Sequence, residues 1–272
     1  MTARNSFPLY RLSVHHGLVI VVEHISFAYP DGQPALRDVS FRVEAGETVG
    51  LIGPNGAGKS TLMLHLNGLL GLPRRQGRIA IGDLAVEPPH LMEIRQRVGL
   101  LFQDPDDQLF STTVGEDVAF GPEQWRLQPE EVARRTAEAL AAVELQDFAS
   151  RVPHHLSLGE KKRVCLAGVL ACRPQVLLFD EPTANFDPRG RREFIGLCRR
   201  LPVTKLIASH DLEMILALCE RILVLDGGVL VAAGPARSIL GDEALMLEHG
   251  LEKPHSLLHT HPHGAAFRPP GA

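Results

Sequence analysis

Gly53-Pro54-Asn55-Gly56-Ala57-Gly58-Lys59-Ser60-Thr61 is a glycine-rich run that ends in Lys-Ser-Thr. It fits the pattern G-x-x-x-x-G-K-[ST], and its flanks are the ones that pattern needs. Glu47 to Ile52, just before it, is a short apolar run that predicts a buried strand. Leu62 to Leu70, just after it, predicts a helix. A strand, a glycine-rich turn and a helix N-terminus gather several backbone N–H groups around one small volume. Such a volume suits a chain of phosphates. In that setting Lys59 brings a positive charge to the β- and γ-phosphates, and the Ser60 hydroxyl can ligate magnesium.

Val19 to Tyr29 alternates as a strand does, and Tyr29-Pro30-Asp31-Gly32 has the composition of a turn. Val39 to Val43 predicts a second strand, Gly77 to Gly82 another, and Val98 to Phe102 a short apolar one that ends at Gln103. From Asp104 to about Arg173 the pattern changes. Pro129 to Leu145 carries apolar residues at helical spacing with acidic residues in its first turn, and Leu158 to Cys172 reads as a second helix. This region, 104–173, is expected to be a helical subdomain inserted between strands. Beyond it strand and helix alternate again: Val176 to Phe179, Arg189 to Leu201, Lys205 to Ala208 and Asp211 to Cys219. Arg221 to Leu225 and Val229 to Ala232 then flank Asp226-Gly227-Gly228 as a hairpin. The alternation predicts an α/β fold with a largely parallel sheet covered on both faces.

With 272 residues the chain is long enough for one large domain, or for a domain with a subdomain. Lys and Arg total 28 against 32 Asp and Glu, a net charge of −4, which argues against phosphate-driven binding of nucleic acid. The four cysteines form no C-x-x-C pair and sit among apolar residues, as buried reduced thiols do. No apolar run approaches the roughly 18 residues of a membrane span, so any membrane role is expected to come through a partner. Residues 1–17 are expected to be a loose leader, residues 18–250 the folded domain, and residues 251–272 a flexible His-rich tail.

Asp180-Glu181 closes the apolar run 176–179, placing two carboxylates at the C-terminal end of a strand, the edge where open α/β sheets bind ligands. Asp180 suits a magnesium-positioning carboxylate, and Glu181 a group that orients or deprotonates an attacking water. His210 ends another apolar strand and faces the same edge, within reach of a γ-phosphate. Gln103, also at a strand end, can reach a metal-bound water. Ser157 is a natural N-cap, and the helix start Ser157-Leu158-Gly159 leaves N–H groups free for a second anion. The plain alternatives are an acidic strand end, a structural histidine and an ordinary capped helix with a basic face.

Together these residues resemble the nucleotide-binding subunit of an ATP-binding cassette (ABC) transporter. Gly53 to Thr61 is similar to its Walker A motif, Gln103 to the Q-loop, Leu156 to Glu160 to the signature, and Val176 to Glu181 to Walker B. Thr183 to Asp187 resembles the D-loop, His210 the switch histidine, and Tyr29 the aromatic residue that stacks on adenine. The order and spacing match from Val21 to Leu240. The family's usual signature is L-S-G-G-Q; here Leu158 replaces the first glycine and Glu160 the glutamine, while Ser157 and Gly159 remain. Ala184 stands where a D-loop serine is common. The resemblance implies a P-loop ABC ATPase core with N-terminal antiparallel strands and an inserted helical subdomain, using ATP and Mg2+. It also implies two chains arranged head to tail around two ATPs, each offering its Ser157 and Gly159 to the other's nucleotide, and integral membrane subunits as partners. The ATPase would then sit at the cytoplasmic face of the membrane.

Val98 to Phe110 and Val114 to Glu123 resemble a narrower branch, the energy-coupling-factor ATPases of cobalt, nickel and vitamin uptake. In that branch the segment after the Q-loop docks on a transmembrane coupling protein. The tail histidines His255, His259, His261 and His263 can share a soft divalent metal, although a His-rich end with no metal role reads the same way. The expected function is ATP hydrolysis driving import of cobalt or nickel. A vitamin cargo and a soluble, non-transport ABC ATPase are the alternatives. A soluble ABC ATPase of repair or translation would carry long coiled-coil insertions or two cassettes, and this chain has neither.

Overall fold

The computed structural model describes residues 17–70 and 75–258. Its strands are β1 (Leu18–Ala28), β2 (Pro34–Glu44), β3 (Thr48–Ile52), β4 (Gln76–Ile81), β5 (Leu84–Ala85), β6 (Val98–Leu101), β7 (Val176–Asp180), β8 (Thr204–Ala208), β9 (Arg221–Asp226) and β10 (Val229–Pro235). Its helices are α1 (Lys59–Leu66), α2 (Leu91–Arg97), α3 (Val114–Gln124), α4 (Pro129–Ala142), α5 (Leu158–Ala171), α6 (Pro188–Arg200), α7 (Leu212–Leu218), α8 (Ala236–Gly241), α9 (Glu243–Glu248) and α10 (His255–Leu258).

Two sheets carry the fold. The larger runs β10-β9-β3-β8-β7-β6; its four pairings from β9 to β6 build a parallel sheet, and β10 joins β9 antiparallel. The smaller, β2-β1-β4-β5, is antiparallel throughout. Side chains alternate along the parallel strands and feed two cores. Leu177, Phe179 and Ile207 join the core shared with α5, α6 and α7. Val176, Leu178 and Leu206 join the one shared with the small sheet and α1. Burial on both faces is why residues 176–179 of β7 and 206–208 of β8 are apolar without a break.

Strand register sets up the site. Leu101 lies beside Phe179, Phe179 beside Ile207, and both Asp180 and Leu51 beside Ala208. The C-terminal ends of β3, β6, β7 and β8 are therefore level along one edge of the sheet.

The helical region between β6 and β7 holds α3, α4 and α5. The sequence pattern marks α4 and α5 but not α3, because Gly115, Gly121 and Pro122 make α3 a poor intrinsic helix. A capping box starts it: Thr113 Oγ1 accepts from Glu116 N at 3.3 Å, and Glu116 Oε2 accepts from Thr113 N at 3.0 Å. Packing sustains it, since a methyl group on Gly121 would lie 2.3 Å from Cys172 Sγ on the end of α5. Strand β2 is also longer than the expected 39–43, and α2, α8 and α9 are additions to the sequence reading.

The expected boundary of the tail needs correcting. Leu251 and Pro254 are buried, residues 255–258 form α10, and Ser256 N and Oγ donate to Glu213 at 3.0 and 2.7 Å. Residues 251–258 thus pack on the domain. His259, His261 and His263, and the expected leader up to residue 16, lie outside the described residues.

The close packing of α5 on the sheet gives a stability test. A methyl group on Gly99 of β6 would sit 2.2 Å from Val169 Cγ1, 3.2 Å from Pro174 Cγ and 3.3 Å from Leu177 Cδ2. Val169 is β-branched and stiff, so it cannot easily turn aside. Gly99→Ala is expected to cost about 1–3 kcal/mol through overpacking, read as a lower midpoint in urea unfolding. An unchanged midpoint would show that α5 can give way.

Candidate functional site

The loop at residues 53–61 takes its shape from glycines in conformations other residues resist. Gly56 and Gly58 have φ of 79° and 104°, and a methyl group on Gly58 would lie 2.5 Å from the Ala35 carbonyl oxygen. Gly58 caps α1 with no side-chain hydrogen bond, so the first N–H groups of that helix remain open to an anion. Lys59 is buried, and its Nζ donates to the carbonyl oxygens of Gly53 at 2.8 Å and Pro54 at 3.0 Å. Burial pushes its pKa down, and the nearby Glu181 and Asp180 carboxylates pull it back up.

This loop forms one wall of a cavity of about 710 Å3. Tyr29, Gly53, Pro54, Asn55, Gly56, Ala57, Gly58, Lys59, Ser60, Thr61, Gln103, Asp180, Glu181 and His210 all line it. The level strand ends explain this gathering of residues so distant in sequence. The Tyr29 hydroxyl and Thr61 Oγ1 are 2.9 Å apart, which ties the aromatic ring to the end of the loop. Ser157 and Gly159 are not among the lining residues; Ser157 is exposed at the start of α5. There the Ser157 hydroxyl donates to Glu160 Oε2 at 2.7 Å, within a capping box.

Glu181 is held at several points. Its φ is 46°, unusual for a residue with a side chain. Its N–H donates to the Ala208 carbonyl at 2.9 Å. Its carboxylate accepts from Ser209 Oγ at 3.0 Å and from His210 N at 3.0 and 3.2 Å, and His210 Nδ1 lies 2.8 Å from Oε2. Its carbonyl accepts from Lys162 Nζ at 3.1 Å. Asp180, beside it, has its pKa raised by burial; a hydrogen bond from Ser60 acts the other way.

Ser60, Asp180 and the exposed Gln103 present hydroxyl, carboxylate and amide oxygens to the same cavity. Such a hard-oxygen set fits magnesium. Among the described residues no cluster of three His, Cys, Asp or Glu side chains offers a separate metal site. His255 stands exposed at the start of α10.

Sequence reasoning missed several residues here. Gln33, Pro34 and Ala35 of the first hairpin line the cavity, as do Gly250 and Leu251 from near the C-terminus. Ser209 and Lys162 hold Glu181. Ser209 precedes His210, so its neighbour was the available signal; nothing in the sequence marks Lys162 as reaching residue 181.

Residues 36–184 match the family model described as ABC transporter. The chain is 52% identical over 240 residues to an ABC transporter ATP-binding protein of Gloeobacter violaceus, covering 88% of this chain and 98% of that one. It is 45% identical to the energy-coupling factor transporter ATP-binding protein EcfA of Carboxydothermus hydrogenoformans, covering 87% and 88%. Among solved structures it is similar to cbiO1 of Clostridium perfringens, part of the ABC transporter complex cbiONQ. That likeness has a TM-score of 0.75 and 34% identity, covering 85% of this chain and 94% of that one. It is also similar to a dimeric ATP-binding cassette in a post-hydrolysis state with ADP and Pi, with a TM-score of 0.71 and 27% identity, covering 80% and 99%.

Proposed function

The chain belongs to the ABC transporter family and is one of its ATPases, and from that premise we propose that it energises import of cobalt or nickel ions through an energy-coupling-factor transporter. The observation that carries this reading is the division of the nucleotide machinery. Walker A, Gln103, Asp180, Glu181 and His210 share one cavity, while Ser157 and Gly159 stand outside it. A second anion site apart from the first is of use when two chains pair head to tail, and the likeness to a dimeric cassette supports that pairing.

In this reading ATP lies along the loop with its adenine on Tyr29, and Lys59 and the α1 N-terminus neutralise the phosphates. Ser60, Asp180 and Gln103 would hold magnesium, which would supply charge neutralisation at the phosphates. Glu181 orients or deprotonates the water, and His210 contacts the γ-phosphate.

Among the described residues no helix is long and apolar enough to cross a membrane. The transport step therefore falls to integral membrane subunits, with this chain peripheral on the cytoplasmic face. Their docking point is the segment after Gln103. Phe110 and Phe120 are 65% and 42% exposed and stack edge to face at 4.8 Å, an apolar anchor left in water. Asp117 Oδ1 fixes the turn beneath them by accepting from Phe110 N at 3.1 Å and Ser111 N at 2.9 Å. The cargo rests on the resemblance of residues 98–123 to the metal-uptake branch, with the tail histidines as an accessory.

Cells expressing the whole transporter should accumulate labelled cobalt or nickel, and Lys59→Ala should abolish that uptake. If neither metal's uptake depends on Lys59 while that of a vitamin does, the cargo assignment is wrong.

A further inference from the structure

Lys162 lies on α5, five residues beyond Ser157, and its side chain is 1% exposed. Burying an ammonium costs several kcal/mol unless its surroundings compensate, so a lysine here needs a reason. Its Nζ donates to the Glu181 carbonyl oxygen at 3.1 Å and sits 5.6 Å from the centre of the Phe186 ring. Burial lowers its pKa, while Cys165, Asp104, Glu181 and Asp180 favour the charged form.

We propose that Lys162 is a positioning residue for Glu181, and that it links the signature segment to the carboxylate that handles the attacking water. The inference rests on the role given to Glu181 above. Glu181 has a left-handed backbone, a conformation that costs roughly 1–2 kcal/mol for a residue with a side chain. Such a conformation persists only where its surroundings over-determine it. Strand β8 supplies part of that restraint, through Ala208, Ser209 and His210. Lys162 supplies the restraint on the carbonyl, and it comes from another element. With its N–H held by Ala208 and its carbonyl by Lys162, the Glu181 backbone is fixed on both sides, and that backbone sets the direction in which the side chain leaves Cα.

The same helix start is joined to its surroundings on two further sides. Lys161 Nζ donates to Asp106 Oδ1 at 2.7 Å, in the turn just after Gln103. A methyl group on Gly159 would lie 4.0 Å from the Phe186 ring, the ring that Lys162 also faces. A shift of Ser157 and Gly159 as they meet a nucleotide would therefore move Lys161 and Lys162 together. It would be felt both beside Gln103 and at the Glu181 backbone.

Lys162→Met keeps the length and apolar stem of the side chain but removes the donor. Its kcat for ATP hydrolysis is expected to fall about 10–100-fold, the scale of a catalytic group moved by about 1 Å. KM for ATP and the melting temperature should stay near their wild-type values. Lys162→Gln, which retains a neutral N–H donor, should recover most of the lost turnover. A Lys162→Met protein that hydrolyses ATP at the wild-type rate overturns the proposal. So does one that loses nucleotide binding along with turnover, or a Lys162→Gln protein as slow as Lys162→Met. Near-normal turnover in Glu181→Gln would instead remove the role of Glu181 itself, so the two failures are distinguishable.

Discussion

Glu181→Gln should slow ATP hydrolysis by roughly 10²–10⁴-fold, the usual weight of a general base, while ATP binding stays nearly intact. The substitution preserves size and removes one charge. The carboxylate accepts from Ser209 Oγ and His210 N, and lies 2.8 Å from His210 Nδ1. An amide keeps a single acceptor oxygen and puts an NH2 donor among donors in place of the other, so it neither takes a proton nor keeps the same orientation. The loop that carries the phosphate contacts is untouched, which is why affinity survives.

A protein that binds ATP and cannot hydrolyse it should also accumulate as the closed dimer with ATP and magnesium, and fall apart with ADP. Asn55→Cys and Leu158→Cys, placed in the Glu181→Gln background, should then form a disulfide between separate chains. The native thiols will not confuse the result. Burial pushes Cys165, Cys172, Cys198 and Cys219 up to about 12, leaving little thiolate at neutral pH. Normal turnover in Glu181→Gln would take the base role from Glu181. A fully active enzyme that is monomeric throughout its cycle would end the head-to-tail model.

Lys59→Ala should raise the Kd for ATP by about 10²–10³-fold, by analogy with loss of one preorganised donor at an oxyanion, and turnover should fall with it. The ammonium rests on the Gly53 and Pro54 carbonyls, inside the curve of the loop. It needs little reorganisation to reach a phosphate, and charge-assisted hydrogen bonds to phosphate are among the strongest a side chain makes. Alanine removes that charge and leaves two loop carbonyls without their donor. Titration calorimetry with ATP reads the change directly. Affinity within a few-fold of wild type would mean that backbone N–H groups alone hold the phosphates.

Much of the site was legible in the chain because its chemistry is local. Nine consecutive residues, 53–61, line one wall of the cavity. Asp180, Glu181, Gln103 and His210 were readable because each follows an apolar run, and a buried parallel strand is one of the plainest sequence patterns. Helix α3 was hidden by Gly115, Gly121 and Pro122, although Thr113-Val114-Gly115-Glu116 carries the capping-box spacing that marks its start. The ordered end of the domain was hidden by composition. Pro and His dominate after residue 252, yet Leu251 and Pro254 find a buried place and Leu251 lines the cavity.

The strand–loop–helix around residues 53–61 and the order of the strand-end side chains were legible in the chain, because those depend on neighbours along it. Which of these side chains meet, and what restrains them, follows from packing between distant segments. The level register of β3, β6, β7 and β8 brings Gln103, Glu181 and His210 to one cavity. The packing of α5 against that edge sets Lys162 on the Glu181 carbonyl, 19 residues away. Contacts of that kind are set by how helices and strands settle against each other, and no spacing in the chain encodes them.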